Sequence, residues 1–404
     1  MRPQLRFPGF ADAWVEKKLG EFADFYSGNG LNKNVLSADG KQECILYGNL
    51  YTDYGMITDT ITCHTNIDIK NPVYSKFGDV LIPASDTTPT GIARATSVEK
   101  EGVLLGNDIN IIRPKSGIHG SCLSLSINAN KAKMSKYIKG ITVRHIHNSD
   151  IKELKISIPA NIKEQELLAI YFKNLDRLIT LNKKKLSSMK EYKKSMLQRM
   201  FPKAGNLPEL RFPGFSDEWV EKQVKEVATI VGGNSWKHSD YKNNGDYLVV
   251  TISNVSGDNF INDKIGNRLF CDPDNAYILN ENDILISLTG NVGRVSKMTA
   301  TKGVLNQRVG KVIPNENIVP NFLFYQLNNP RFESTMVYAG QGGAQKNISN
   351  SDVLSYSITT PQSKTEQSLI GSFFSNLDRL ITLQSQKLSA LDLYKKALLQ
   401  RMFA

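Results

Sequence analysis

Three stretches in the second half of the chain carry side chains suited to reading nucleic acid. Thr289-Gly290-Asn291-Val292-Gly293-Arg294 follows an apolar run, Asn306-Gln307-Arg308 comes soon after, and Gly340-Gln341-Gly342-Gly343-Ala344-Gln345-Lys346-Asn347 completes the set. Glycine lets a backbone approach a phosphate closely. Arg, Gln, Asn and Lys match the donor and acceptor geometry of base edges and phosphate oxygens. The first half holds counterparts at corresponding places: Thr90-Gly91-Ile92-Ala93-Arg94, Gly106-Asn107-Asp108 and Gly140-Ile141-Thr142-Val143-Arg144-His145. Each such residue alone suits an ordinary turn. Recurrence at equivalent positions with altered identity favours DNA reading, by Arg94, Asn107, Arg144, His145, Asn291, Arg294, Gln307, Arg308, Gln345, Lys346 and Asn347.

The sequence patterns of catalysis are missing. Gly28-Asn29-Gly30 lacks the Gly-Lys-Ser/Thr continuation of a phosphate loop, and no glycine-rich cofactor turn follows a clear strand. That argues against an S-adenosylmethionine or NAD site. Asn329-Pro330-Arg331-Phe332 only faintly echoes the Asn-Pro-Pro-aromatic signature of adenine methyltransferases, because Arg331 takes the place of the second proline. Glu153-Leu154-Lys155 resembles the tail of a nuclease motif, yet its counterpart Leu354-Ser355-Tyr356 lacks both charges. Five histidines form no HxxxH or HExxH pair, and His145 and His147 beside Arg144 read as polar surface, so no metal site is expected. Four scattered cysteines without a CxxC pair point to a reducing cytoplasm. No uninterrupted apolar run approaches the ~20 residues that span a bilayer, so no membrane partner is expected. Among 404 residues, 50 Lys+Arg against 39 Asp+Glu give a net charge of +11, which favours a polyanionic partner.

What must position these loops is written twice. Arg6-Phe7-Pro8-Gly9-Phe10, Asp12 and Trp14-Val15-Glu16-Lys17 return as Arg211-Phe212-Pro213-Gly214-Phe215, Asp217 and Trp219-Val220-Glu221-Lys222. Asn174 to Leu181 returns as Asn376 to Leu383, and Gln198-Arg199-Met200-Phe201 as Gln400-Arg401-Met402-Phe403, each 202 positions later. The chain is two copies of one unit of about 200 residues. The intervening segments, about 17–160 and 222–362, share only a skeleton. Gly78 to Pro83 answers Asn282 to Ser287, and Asn148-Ser149-Asp150-Ile151 answers Asn350-Ser351-Asp352-Val353. Both segments read as strand-rich α+β domains, with short helices expected over Ile318–Leu327 and Ala129–Ile138.

Residues 164–201, and their counterpart 366–403, read as long helices of about 38 residues, roughly 57 Å at ~1.5 Å per residue. Apolar positions alternate by four and three: Leu175, Ile179, Asn182, Leu186 and Met189 in the first, Leu377, Ile381, Gln384, Leu388 and Leu391 in the second. That is a coiled-coil seam, with two amphipathic helices on separate domains as the alternative. In an antiparallel pair the amides Asn182 and Gln384 would share a central layer and set the register.

The repeated Pro208-Glu209-Leu210-Arg211-Phe212-Pro213-Gly214-Phe215 entry with Trp219 carries a resemblance, together with the Asn174–Leu181 and Asn376–Leu383 helices and the Thr289–Gly293 stretch. Over its whole length the chain resembles the specificity subunit of type I restriction–modification systems. The resemblance implies an α+β, pseudo-two-fold molecule. Target-recognition domains at 1–160 and 205–362 would each read half of a split double-stranded DNA site, and conserved spacer helices at 161–204 and 363–404 would pair antiparallel and dock two methyltransferase subunits. It implies a subunit without catalytic residues or cofactor of its own. S-adenosylmethionine, ATP and Mg would sit on methyltransferase and restriction subunits. A stand-alone two-headed DNA-binding protein and a coiled-coil assembly protein without nucleic-acid affinity remain as rivals.

Overall fold

The computed structural model describes residues 3–86, 89–140, 142–202, 205–270, 277–340 and 346–403. Short apolar runs become central strands: Asp79–Pro83 and Ile284–Ser287 are buried at every position, as expected where a strand is covered on both faces. The chain folds into two units, Met1–Lys184 with Gln386–Ala404, and Lys185–Ser385. Each therefore owns half of each long helix.

In the first unit the main sheet runs Ala23–Ser27, Ile109–Pro114, Asp79–Pro83, Thr96–Val98 and Ile57–Thr58. In the second it runs Ala228–Gly232, Val309–Pro314, Ile284–Ser287 and Val295–Lys297, the same order without the last strand. A second small sheet in each unit has one parallel pair, Gln42–Ile45 with Leu104–Leu105 and Tyr247–Val250 with Gly303–Leu305. An antiparallel two-stranded stem closes each strand-rich segment where it meets its helix. Val15 faces Ile158 in one unit and Val220 faces Thr360 in the other.

The long helices span Ile162–Met200 and Lys364–Phe403, 39 and 40 residues. Inside the first unit the start of one helix lies antiparallel to the end of the other. Tyr171 meets Tyr394, Asp176 pairs with Lys395, and Phe172 and Trp14 pack on Phe403. Inside the second unit the same antiparallel contacts recur with the copies exchanged: Lys193 pairs with Asp378 at 2.6 Å, and Phe374 and Trp219 pack on Phe201. Leu175, Ile179, Asn182, Leu377 and Gln384 are buried, whereas Leu186, Met189, Ile381, Leu388 and Leu391 are half-buried. Asn182 donates its amide to the Leu178 carbonyl of its own helix at 2.7 Å. No described helix is long and apolar enough to cross a membrane.

A duplicated lock fixes the helix starts. Arg6 grips the buried Glu164 through two N–H donors at 2.7 and 2.8 Å, and Trp14 Nε1 donates to the same carboxylate at 3.4 Å. Arg211, Glu366 and Trp219 repeat this at 2.6, 2.8 and 3.3 Å. The next residues, Gln165 and Gln367, accept from the backbone N–H of His119 and Val319 and donate to Pro159 and Pro361. Sequence reading passed over this pair, although Glu-Gln recurs 202 positions apart.

Candidate nucleic-acid interface

The loops at the end of each main sheet are stitched together by the backbone of a single residue. In the second unit Leu288 donates its N–H to the Arg308 carbonyl at 3.0 Å, and its carbonyl accepts from Ile348 N–H at 2.9 Å. These two bonds join the loop after Ile284–Ser287 to Gln307-Arg308 and to Lys346-Asn347. Gly290 N–H donates to the Lys346 carbonyl, and Asn347 Oδ1 accepts from the Thr289 hydroxyl at 2.8 Å. Asn291, Gln307, Arg308, Lys346 and Asn347 are thus brought to one place, with Asn291, Gln307, Arg308, Lys346 and Asn347 all exposed. Gln345 lies outside the described residues.

Ala84 does the same work in the first unit. Its N–H donates to Asp108 at 2.8 Å and its carbonyl accepts from Ile146 at 3.0 Å. Asn107 is exposed, and its Oδ1 accepts from Gly30 N–H at 2.8 Å. Arg144 and His145 pair with Asp86 and Ser85 across a two-stranded ladder. The His145 ring stacks 6.3 Å from His147, and Arg144 Nε meets no acceptor among the described residues.

Arg94 and Arg294 have partners of their own. Arg94 donates to the Leu50 carbonyl at 2.6 Å and lies 5.5 Å over the Tyr51 ring, while Arg294 contacts Glu333 at 3.3 Å. Tyr51 was not among the expected contacts, yet it braces Arg94 and donates its hydroxyl to Ser85 at 2.8 Å. Nothing in its local sequence marks it, because both partners are distant in the chain. Burial and the nearby Asp86 push the Tyr51 hydroxyl well above its ordinary range, so it is a neutral donor.

Glycine is required at the turns beneath these loops. Gly293 has φ +79°, and a Cβ there would fall 2.6 Å from Met336 Cβ. Gly28, in the stretch rejected as a phosphate loop, has a packing role: a Cβ there would meet the Gly106 carbonyl oxygen at 2.0 Å, and one on its counterpart Gly233 would meet the Asn306 carbonyl oxygen at 2.1 Å. Both glycines let the chain leaving the main sheet's first strand pass close to the end of a small-sheet strand. The methyltransferase-like Asn329-Pro330 is a helix start, with Asn329 Oδ1 accepting from Arg331 N–H at 3.0 Å and Pro330 opening Pro330–Ala339. Among the described residues no group of three or more His, Cys, Asp or Glu is placed to hold a metal.

These loops, mounted on two main sheets of the same strand order, present hydrogen-bonding side chains. The model of the type I restriction modification DNA specificity domain matches residues 11–191 and again 216–393. The type I restriction enzyme MjaVIII specificity subunit of Methanocaldococcus jannaschii is 23% identical over 411 residues, covering 98% of this chain and 92% of that protein. The crystal structure of a type I restriction–modification S subunit from M. genitalium has TM-score 0.62 at 15% identity, covering 100% of this chain and 99% of the other. A chain from a study of complex assembly and conformational transition in the type I system has TM-score 0.56 at 16% identity, covering 99% of each.

Proposed function

The chain belongs to the type I restriction–modification DNA specificity family, and from that premise we propose how its two units divide the task. It is the DNA specificity subunit of a type I system, assembles within such a complex and is not its catalyst. Residues 1–160 and 205–362 are two target-recognition domains, each reading one half of a bipartite site in double-stranded DNA. The loop amides, guanidiniums and imidazole described above discriminate bases, and surrounding Lys and Arg neutralise phosphates, which makes affinity salt-dependent. The observation that carries this reading is the pairing of matched locks, Arg6–Glu164 and Arg211–Glu366, with unmatched loops. The scaffold is held constant while the reading surface varies.

The helices 161–204 and 363–404 fix the unread spacer and dock two methyltransferase subunits. Leu178 and Leu181, and 202 positions later Leu380 and Leu383, support the docking role. They are 43, 55, 54 and 51% exposed, an apolar stripe at the same place on each helix. S-adenosylmethionine and adenine flipping belong to those subunits, and ATP and Mg to restriction subunits, all working in the cytoplasm.

Inserting seven residues at the middle of both helices keeps the seam in phase and adds about 10 Å, close to three base pairs. Mapping methylated adenines in a host carrying the variant should reveal the same half-sites with a longer spacer. An unchanged spacer refutes the ruler.

A further inference from the structure

A cleft of about 540 Å³ in the first unit is lined by Arg94, Lys131, Lys395 and Lys396, with Gly55 and Asn128. One of about 220 Å³ in the second is lined by Lys190, Lys193, Lys194 and Arg294, with Gly257 and Asn328. Three of their four cations correspond, Arg94 with Arg294, Lys395 with Lys193 and Lys396 with Lys194, whereas Lys190 stands at the position of Asp392. Lys395-Lys396 follows Lys193-Lys194 by 202 positions. Asn128 and Asn328 each donate Nδ2, at 2.7 Å, to the carbonyl of the residue after the arginine, Ala95 and Val295.

The charge balance is also repeated. In the first cleft Lys395 pairs with Asp176, and Asp392 lines the wall. In the second Lys193 pairs with Asp378 and Arg294 with Glu333. Four cations therefore face two carboxylates in each unit. Arg94, Lys131, Lys396, Lys190 and Lys194 have no ion-pair partner among the described residues. Lys131 as a whole is exposed, but partial desolvation of its ammonium, with the repulsion of Arg94, Lys395 and Lys396, lowers its pKa from the ordinary lysine range. An incoming anion would relieve that repulsion.

Each cleft adjoins a reading cluster. Tyr51 carries Arg94 over its ring and hydrogen-bonds Ser85, the residue opposite His145. In the second unit only Val292 and Gly293 separate Arg294 from Asn291. Converging ammonium groups beside a braced guanidinium suit a compact oxyanion with several acceptor oxygens. Resting on the DNA-reading role above, we infer that each cleft is a phosphate anchor, holding the duplex backbone beside the bases that its unit reads.

The test neutralises each cleft in the full chain assembled with its methyltransferase subunits, as Lys131→Gln with Lys396→Gln and as Lys190→Gln with Lys194→Gln. Duplex affinity is titrated against salt. Each pair should lower the slope of log affinity against log salt by about one, at ~0.9 per lost phosphate contact. Target and unrelated duplexes should weaken alike, and the methylated motif should not change. The corresponding Lys→Arg pairs should keep the original slope, which separates charge from folding. An unchanged slope in the Gln pairs overturns the anchor. So does inorganic phosphate alone protecting Lys131 from acetylation as well as the duplex does, since the cleft would then take free phosphate. If the unaltered complex shows no salt-sensitive duplex binding, the DNA-reading role itself fails.

Discussion

Single residues reveal where the two copies were built to differ. Lys297 is only 3% exposed, donates to Asn321 Oδ1 at 2.8 Å and lies 4.3 Å over the Phe324 ring. Its first-unit counterpart is Ser97, a neutral group that accepts from the Ser121 hydroxyl at 3.1 Å. Desolvation pulls the Lys297 ammonium down to about 8, with Lys193 adding to the shift and Asp378 opposing it. Below that pH the lysine is charged both folded and unfolded, so the burial penalty is fully present. Between about 8 and the ordinary lysine value the folded state sheds the proton first, and stability rises with pH. Such a shift corresponds to about 3 kcal/mol. Lys297→Met keeps the aliphatic stem and should raise the calorimetric melting temperature of the second unit at pH 7, with the advantage shrinking towards pH 10. An advantage of equal size at both pH values would rule out the charge as its origin. Glu164→Ala does the reverse, leaving the Arg6 fork and Trp14 Nε1 facing an empty site. Removing one partner of a buried ion pair costs about 3–5 kcal/mol, and urea unfolding should show Glu366→Ala costing a similar amount.

Elements differ in how openly the sequence declares them. The long helices are legible because a seam stepping by four and three survives wherever one face is buried and the other wet, as Leu175, Ile179 and Leu377 show. The helix Gly120–Ala129 is not legible, because Gly120 through Asn128 are all buried and no polar face exists to set a period. Its serines hide their hydroxyls instead: Ser124 donates to Met56 at 2.7 Å and Ser126 to Ser157 at 2.8 Å. Only the short helix Lys131–Met134 and the turn Ser135–Tyr137 fall within the helix expected over Ala129–Ile138. Pro330–Ala339 was missed, because Asn329-Pro330 drew notice only as a methyltransferase-like fragment, whereas it acts as a cap. The polar, glycine-bearing recurrences were legible, and the structure gathers Asn291, Gln307, Arg308, Lys346 and Asn347 at one place. What Arg94 and Arg294 touch was not, since Tyr51 and Glu333 lie 43 and 39 positions away in sequence. Equivalent elements should respond equally to equivalent damage. Phe403 and Phe201 each fill the gap between a tryptophan and the opposite helix, so Phe403→Ala and Phe201→Ala should each cost about 3–5 kcal/mol. Each should loosen its own unit in hydrogen exchange. Equal loosening of both units by either change would contradict local packing.

At the scale of the whole chain, duplication makes the two recognition segments interchangeable parts. Each enters and leaves through the same antiparallel stem, Val15 facing Ile158 and Val220 facing Thr360. The preceding segment docks in the same way in both units: Leu5 N–H donates to the Arg401 carbonyl at 3.1 Å and Leu210 N–H to Arg199 at 2.9 Å. The arginine, tryptophan and glutamate of the lock, and the glutamine after it, lie outside the segment or at its edge. Replacing residues 15–158 with residues 220–360 therefore preserves the stem and the lock, removes Asp59 and Glu99 from Lys173, and exchanges the whole strand-rich segment with its loops and short helices. The chimera should assemble into a type I complex as the parent does. Its methylated motif should lose the half-sequence read by the first unit and contain two copies of the half read by the second. Methylome sequencing of a host expressing the chimera gives the answer directly. If the first half-sequence persists, specificity does not reside in the exchanged segment. The loops around Ala84 and Leu288 would then be structural turns, and the +11 charge would belong to a surface that binds DNA without reading it.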